Sequence, residues 1–341
     1  MTKIICFLSL FSSMANAVFA QQKWINVDTA FQPLPNNFHV YKCTDSLDGK
    51  PFIAYYAEAK LKDKHLDFTT DTTNNRRITP LKFYERNQEP LLVVNCTFFS
   101  YASNRSLNVV IKEGRMMAFN RHTIPMTGKD TFQYKHPLGS AIGIDKKRNA
   151  DVAWVYTDSV KSVAYAMQRA RTPYKDSSMS YPYYFVSKNV IAVTSEIAAR
   201  HGNDKFDSHL SKWKMKTAVG GGPVLLQNGE KKITNEEEVK FTGKAINDKH
   251  PRTCMGYTND GRLIVMVIQG RFPGIAEGVT LTQEAQLLKD LGCVEALNLD
   301  GGGSSCMLIN GKETIKPSDK EGERPVPAVF VIKYNPPLKG P

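Results

Sequence analysis

Glu295-Ala296-Leu297-Asn298-Leu299-Asp300-Gly301-Gly302-Gly303-Ser304-Ser305-Cys306-Met307 is the stretch on which the reading of this chain turns. An apolar strand pattern runs straight into an aspartate, and three glycines and two serines follow it. A carboxylate at a strand end, next to backbone without side chains, sets an acid group and exposed N–H donors against a bound oxyanion. A plain turn needing φ > 0 also uses glycines after a strand, and that alternative stays open for an isolated run. The run is not isolated. Lys216-Thr217-Ala218-Val219-Gly220-Gly221-Gly222-Pro223-Val224-Leu225-Leu226 holds a second strand-flanked triple glycine, and His250-Pro251-Arg252-Thr253-Cys254-Met255-Gly256 forms a third unusual turn before the apolar segment Arg262 to Ile268. No G-x-G-x-x-G opens a helix and no G-x-x-x-x-G-K-[ST] occurs, so nothing supports a dinucleotide or P-loop site.

Around these turns the pattern is mainly strands. They are expected at Phe38–Tyr41, Pro51–Ala59, Leu91–Val94, Leu107–Lys112, Ser140–Ile144, Val152–Tyr156, Val190–Val193, Val219–Leu226, Leu263–Ile268, Val294–Leu299, Met307–Ile309 and Ala328–Lys333. Helical periodicity is clearest from Leu281 to Leu291, where Thr280 and Gln283 make a capping box and Gly292 a stop. Thr79-Pro80 reads as a capped helix start, and Asp158–Ala170 as a further helix. Many strands with few helices between them predict an α+β fold of mixed β-sheets with a few packed helices. No linker, repeat or composition shift divides residues 21–341, so a single catalytic domain is expected, with the N-terminal strands 38–60 integral to it.

The 341 residues are 41% hydrophobic and carry a formal charge of +12. That balance suits anionic partners, but Lys, Arg, Asp and Glu alternate along the chain, and no basic stripe interleaved with aromatics marks a nucleic-acid site. Lys3, the apolar run Ile4–Phe11 and small residues at Ala15, Ala17 and Ala20 read as a signal peptide over residues 1–20, so a periplasmic or secreted protein without a membrane span is expected. Removal of Cys6 with it would leave Cys43, Cys96, Cys254, Cys293 and Cys306, an odd number too widely spaced for a C-x-x-C zinc or redox site. Buried or incidental thiols are expected.

Asn95, the Gly220–Gly222 turn, Arg252-Thr253 and Asn298-Leu299-Asp300-Gly301-Gly302-Gly303-Ser304 together resemble the phosphodiester glycosidase family, and Glu323-Arg324-Pro325-Val326 fits the same pattern. The chain departs from that pattern at Asn95-Cys96-Thr97-Phe98-Phe99, where the family has small glycines after the Asn, and at Gln269-Gly270-Arg271, where an aspartate is usual. The resemblance implies an exported hydrolase that cleaves a sugar-1-phosphodiester, such as a GlcNAc-1-phosphate diester, at the anomeric carbon to release a sugar and a phosphomonoester. Its partner would be a phosphorylated glycan or sugar phosphate. Catalytic roles then fall to Asp300, Arg252, Asn95 and Glu277, and substrate contacts to Gly220, Gly221, Gly222, His250, Thr253, Asn298, Gly301, Gly302, Gly303 and Ser304. Asp300 would face the oxocarbenium-like centre as nucleophile or base, and Arg252 would neutralise phosphate charge. No cofactor is expected, and the metal question stays open because the acids near the motifs form no recognisable divalent-cation set. Two alternatives remain open: a non-catalytic module binding anionic cell-wall or surface glycans, and a cysteine hydrolase built on Cys254 or Cys96 with His250.

Overall fold

The computed structural model describes residues 22–179 and 210–337. Three antiparallel sheets carry the fold. The largest has eight strands, in the order Ile25–Asn26, Phe38–Cys43, Ala54–Lys60, Arg262–Ile268, Arg252–Thr258, Cys293–Asn298, Val224–Gln227 and Glu230–Lys231. A seven-stranded sheet runs Ser211–Lys212, Val163–Met167, Ala150–Asp158, Gly139–Ile144, Thr217–Gly220, Val110–Lys112, Arg115–Ala118. Five strands make the third, in the order Lys312–Glu313, Met307–Ile309, Leu92–Asn95, Ala328–Tyr334, Leu66–Thr72.

The alternation along these strands explains why the sheets pack as they do. One side of each sheet supplies a common core: Phe38, Val40, Met255, Val265 and Leu297 from the first, Ile142 and Trp154 from the second, Phe68, Leu92 and Phe330 from the third. The opposite face of the eight-stranded sheet is covered by the helix Leu281–Asp290, which buries Leu281, Ala285 and Leu288 against Leu225, Ile264 and Met266. Its capping box forms as the sequence predicts, with Thr280 and Gln283 satisfying each other's backbone N–H groups. The helix Pro80–Arg86, capped by Thr79, lays Phe83 on Val93, Leu308, Val329 and Val331 of the five-stranded sheet.

Three expectations need correction or placement. The segment Asp158–Ala170 is not a helix: Val163–Met167 is a strand paired with Ala150–Asp158. The Asp158 carboxylate does accept the N–H groups of Val160 and Lys161, as a helix cap would, but it closes a hairpin in which Ser162 has φ 51°. The apolar run Val219–Leu226 is two strands, Thr217–Gly220 and Val224–Gln227, in different sheets, with the glycines as the crossing. Leu66–Thr72, too polar to stand out, forms a strand against Ala328–Tyr334 over its whole length. The expected strand Val190–Val193 lies outside the described residues.

A chain beginning at Pro90 would lack Phe38–Cys43, Ala54–Lys60 and Leu66–Thr72. Arg262–Ile268 and Ala328–Tyr334 would become bare edges, and much of the shared core would go with them. Such a chain should be insoluble or melt without a cooperative transition by circular dichroism; soluble protein with a sharp transition would show that the N-terminal strands are dispensable.

Candidate active site

The segments at Asn95, Gly220–Gly222 and Asn298–Asp300 come from three different sheets and meet at one place. Asn95 ends a strand of the five-stranded sheet, Gly220 one of the seven-stranded sheet, and Asn298 one of the eight-stranded sheet. Backbone hydrogen bonds tie them: Asp300 N–H donates to Cys96 O (2.8 Å), Gly222 N–H to Asn298 O (2.7 Å), and Leu299 N–H to Thr253 O (2.8 Å). The approach is close enough to exclude side chains. A Cβ on Gly221 would collide with Asn298 O, and Gly222, at φ 121°, has Glu238 and Lys240 where its Cβ would go.

Asn95 is fully buried and committed to this junction. Its Nδ2 donates to Asp300 O (2.6 Å), and its Oδ1 accepts from Thr253 Oγ1 (2.9 Å) and Cys306 N–H (3.1 Å). Thr253 is thereby placed as a partner of Asn95. Asn298 donates Nδ2 to Gly222 O (2.7 Å), while its buried Oδ1 has no hydrogen-bond partner among the described residues.

Asp300 itself is held where its carboxyl is costly to ionise. Burial pushes its pKa up to about 7, against the opposing pull of a hydrogen bond with Ser304, the charge of Arg324 and the Gly301 N–H. The glycines that follow lie against guanidinium groups. A Cβ on Gly302, whose φ is 61°, would come 3.0 Å from Arg271 Nη2, and one on Gly303 would collide with Arg324 and Asp319. Gly301 packs on the backbone of Pro251 and Arg252, and Gly302 N–H donates to Pro251 O (2.8 Å). Asp319 grips Arg324 with both oxygens, at 2.7 and 2.9 Å, and Arg324 Nη1 reaches Ser304 Oγ at 3.4 Å.

Arg252 is 3% exposed. Its Nε donates to Val279 O (3.2 Å) and its Nη2 to Asp248 O (3.4 Å), and its guanidinium lies 5.6 Å from the Phe241 ring centre. Glu284, on the covering helix, is its nearest buried counter-charge, and burial raises that carboxyl to about 7 while Arg252 draws it down. His250 is bridged through its backbone to Val279, its Nδ1 has no partner among the described residues, and burial with the neighbouring Arg252 and Arg271 lowers its pKa. Glu277 stands apart from the other proposed catalytic residues in its contacts: its carboxylate is 3.8 Å from Lys50 Nζ. Arg271, Arg324, Asp319, Glu284, Phe241 and Lys240 were not singled out as site residues from the sequence. For Arg324 there is a signal, in Glu323-Arg324-Pro325-Val326; for Lys240 and Phe241, in a segment without a glycine run or apolar periodicity, there is none.

Among the described residues no group of three or more His, Cys, Asp and Glu is placed to hold a metal ion, and no helix is long and apolar enough to cross a membrane. All five cysteines after residue 21 are buried and unpaired. Burial pushes the thiols of Cys96 and Cys254 well above their usual range, which opposes the thiolate a cysteine hydrolase needs.

Residues 156–333 match the phosphodiester glycosidase family, and the chain belongs to it. Over 109 residues it is 33% identical to the mouse and human N-acetylglucosamine-1-phosphodiester alpha-N-acetylglucosaminidases, 30% of this chain and 21% of theirs. Over 89 residues it is 37% identical to the Bacillus subtilis SPbeta prophage-derived protein YomE, 26% of this chain and 14% of that one. The matched stretches thus span a small part of these relatives' own length. The fold is like the zebrafish N-acetylglucosamine-1-phosphodiester alpha-N-acetylglucosaminidase catalytic domain, with a TM-score of 0.55 at 17% identity over 92% of this chain and 88% of that one. A putative exported protein from Burkholderia pseudomallei gives the same TM-score at 16% identity, over 86% and 75% of the two chains.

The raised pKa of Asp300 has a thermodynamic sign. The folded state holds this proton up to about pH 7 and the unfolded state releases it near the ordinary value of 3.8, so the stability it confers is full below pH 4 and lost as pH rises through 7. In Asp300→Asn that component disappears. Thermal melts of the two proteins across pH 4 to 8 should diverge, with the variant gaining on the wild type as pH rises; parallel curves would mean an Asp300 that ionises as it does in water.

Proposed function

We propose that the protein is an exported hydrolase of sugar-1-phosphodiesters, acting at the anomeric carbon to release the sugar and a phosphomonoester. The observation that carries the reading is one carboxyl, Asp300, held at the meeting point of three sheets with the charge of Arg324 acting on it, followed by glycines that pack on the Arg252 backbone and against the Arg271 guanidinium. That set of groups suits a reaction with an anionic leaving group. A phosphomonoester departs with the C1–O electron pair and needs little protonation, so cations take the place of a general acid. Arg252 Nη1 is the end of its fork that no described group takes, and Arg271 has neither an ion-pair nor a hydrogen-bonding partner for its side chain among the described residues.

Asp300, as nucleophile or as base for a water, supplies the electron density that meets the oxocarbenium-like carbon, and a pKa near 7 fits either task at neutral pH. Asn95 acts through position: by holding the Asp300 carbonyl it fixes the strand end from which the carboxyl projects. Family membership and the likeness to enzymes named for GlcNAc-1-phosphodiester cleavage support the reaction class and make a GlcNAc-1-phosphodiester the first substrate to test.

Asp300→Asn keeps the shape of the side chain while removing its charge. Turnover of a sugar-1-phosphodiester should fall roughly 10³-fold or more in single-turnover assays, with substrate still bound. Near-normal cleavage would remove Asp300 from the chemistry, and glycan binding without turnover by the wild type would favour a non-catalytic module. Arg252→Ala should impair phosphodiesters far more than neutral aryl glycosides of the same sugar, with partial rescue by Arg252→Lys; equal losses on both would mark Arg252 as structural.

A further inference from the structure

Next to the glycine crossing lies a cation that no sequence pattern marks. The single helical turn Asn235–Glu238 ends at Val239, which takes φ 52° and turns the chain back on itself. Asn235 then fixes the next two residues. Its backbone O accepts from Lys240 N–H (3.2 Å), its Oδ1 from Phe241 N–H (2.9 Å), and its Nδ2 donates to Phe241 O (2.8 Å). Lys240 is therefore clamped on both sides, and its side chain leaves the backbone in a set direction.

That direction is over the glycine crossing. A Cβ on Gly222 would collide with Lys240 Cε, and Lys240 Nζ stands 5.3 Å from the centre of the Phe98 ring, which belongs to the loop after Asn95. Phe98 in turn packs edge-on against Phe241 at 6.0 Å, and Phe241 carries Arg252 on its face. Two aromatic rings thus lie between the two cations.

Among the described residues Lys240 has no acceptor of its own. Glu238 is the carboxylate beside it, but its oxygens are occupied by Ser140 Oγ (2.6 Å), Thr234 Oγ1 (2.7 Å), Val224 N–H (2.9 Å) and Trp154 Nε1 (3.3 Å). Among the described residues no oxygen lies within hydrogen-bonding or ion-pair distance of Lys240 Nζ, and burial lowers its pKa from the usual lysine range with Glu238 opposing. An ammonium has three donors and a steep desolvation cost, so a half-buried one with no hydrogen-bond acceptor among the described residues is stabilised once a ligand brings an anion. A purely structural lysine would have been paired with Glu238, and here that carboxylate is taken.

We propose that Lys240 is a substrate-binding residue that donates to a non-bridging oxygen of the phosphodiester beside the Gly220–Gly222 crossing. The proposal rests on the phosphodiester reading of the substrate, and it makes Lys240 the residue that selects for the negatively charged linkage.

The test uses the full-length protein with Lys240→Met, which keeps the stem and removes the charge, and Lys240→Arg, which restores it. Inorganic phosphate is the probe in calorimetry, and a sugar-1-phosphodiester in steady-state assays. Lys240→Met should weaken phosphate binding roughly 10- to 100-fold, the usual effect of losing one charge-assisted hydrogen bond, and raise KM by a similar factor with kcat changed only a few-fold. Lys240→Arg should recover much of the phosphate affinity, and thermal melts should show the Lys240→Met protein folded and no less stable. Phosphate binding that is absent in the wild type, or equal in wild type and Lys240→Met, would overturn the proposal. If phosphate binding depends on Lys240 but no sugar-1-phosphodiester is cleaved, the anion site stands and the substrate reading falls.

Discussion

A single buried amide organises the centre of this protein. Asn95 reaches strand ends of the eight-stranded sheet and of its own: one oxygen takes Thr253 and Cys306, and one nitrogen holds the carbonyl of Asp300. No apolar residue of that size could replace it, because each of those groups would be left unsatisfied in a place water does not reach. Once the amide is set, the Asp300 carboxyl, the Gly301–Gly303 run and the 220–222 crossing have little freedom left. The close backbone approaches at Gly221 and Gly301 follow from the same convergence.

Charge is arranged around this centre in two layers. Below the sheet, Glu284 balances Arg252 from the covering helix, so the guanidinium can be buried. Beside the glycine runs, Arg271 lies against Gly302, Arg324 against Gly303 and Lys240 against Gly222, and among the described residues Arg324 alone of the three has an ion-pair partner, in Asp319. Arg271 is exposed, but a half-buried ammonium such as that of Lys240, with no ion-pair acceptor among the described residues, is unfavourable for stability alone.

Much of this was legible in the sequence and some was not, for identifiable reasons. The Asp300 and Gly220 motifs stood out because glycines in threes have few structural uses, and the helix Leu281–Asp290 because its capping box and period-3.6 stripe agree. Asp158–Ala170 misled because an aspartate that accepts two following N–H groups begins a helix and closes a turn with the same bonds, and only pairing with Ala150–Asp158 decides between them. The crossing at Gly220–Gly222 was hidden inside an apolar run, since hydrophobicity does not say which sheet a residue joins. Lys240 does not stand out because the want of a hydrogen-bond or ion-pair acceptor for it among the described residues is a property of three-dimensional neighbours. Asp319 and Glu284 belong to the same group, as each matters through the arginine it faces.

The hydrogen bond from Asn95 to Asp300 joins residues 205 positions apart, and that from Cys306 to Asn95 spans 211. Contacts of such span are closed late, after local hairpins have formed, because the chain entropy lost in closing them is recovered only when the sheets are already in place. During synthesis, which proceeds from the N-terminus, the Asn95 strand emerges long before its partners near residue 300 exist. Until then its polar end must be kept solvated, and the partly made chain can carry no assembled centre. The chemistry of this protein is thus withheld by its own topology until its C-terminal strands have been delivered.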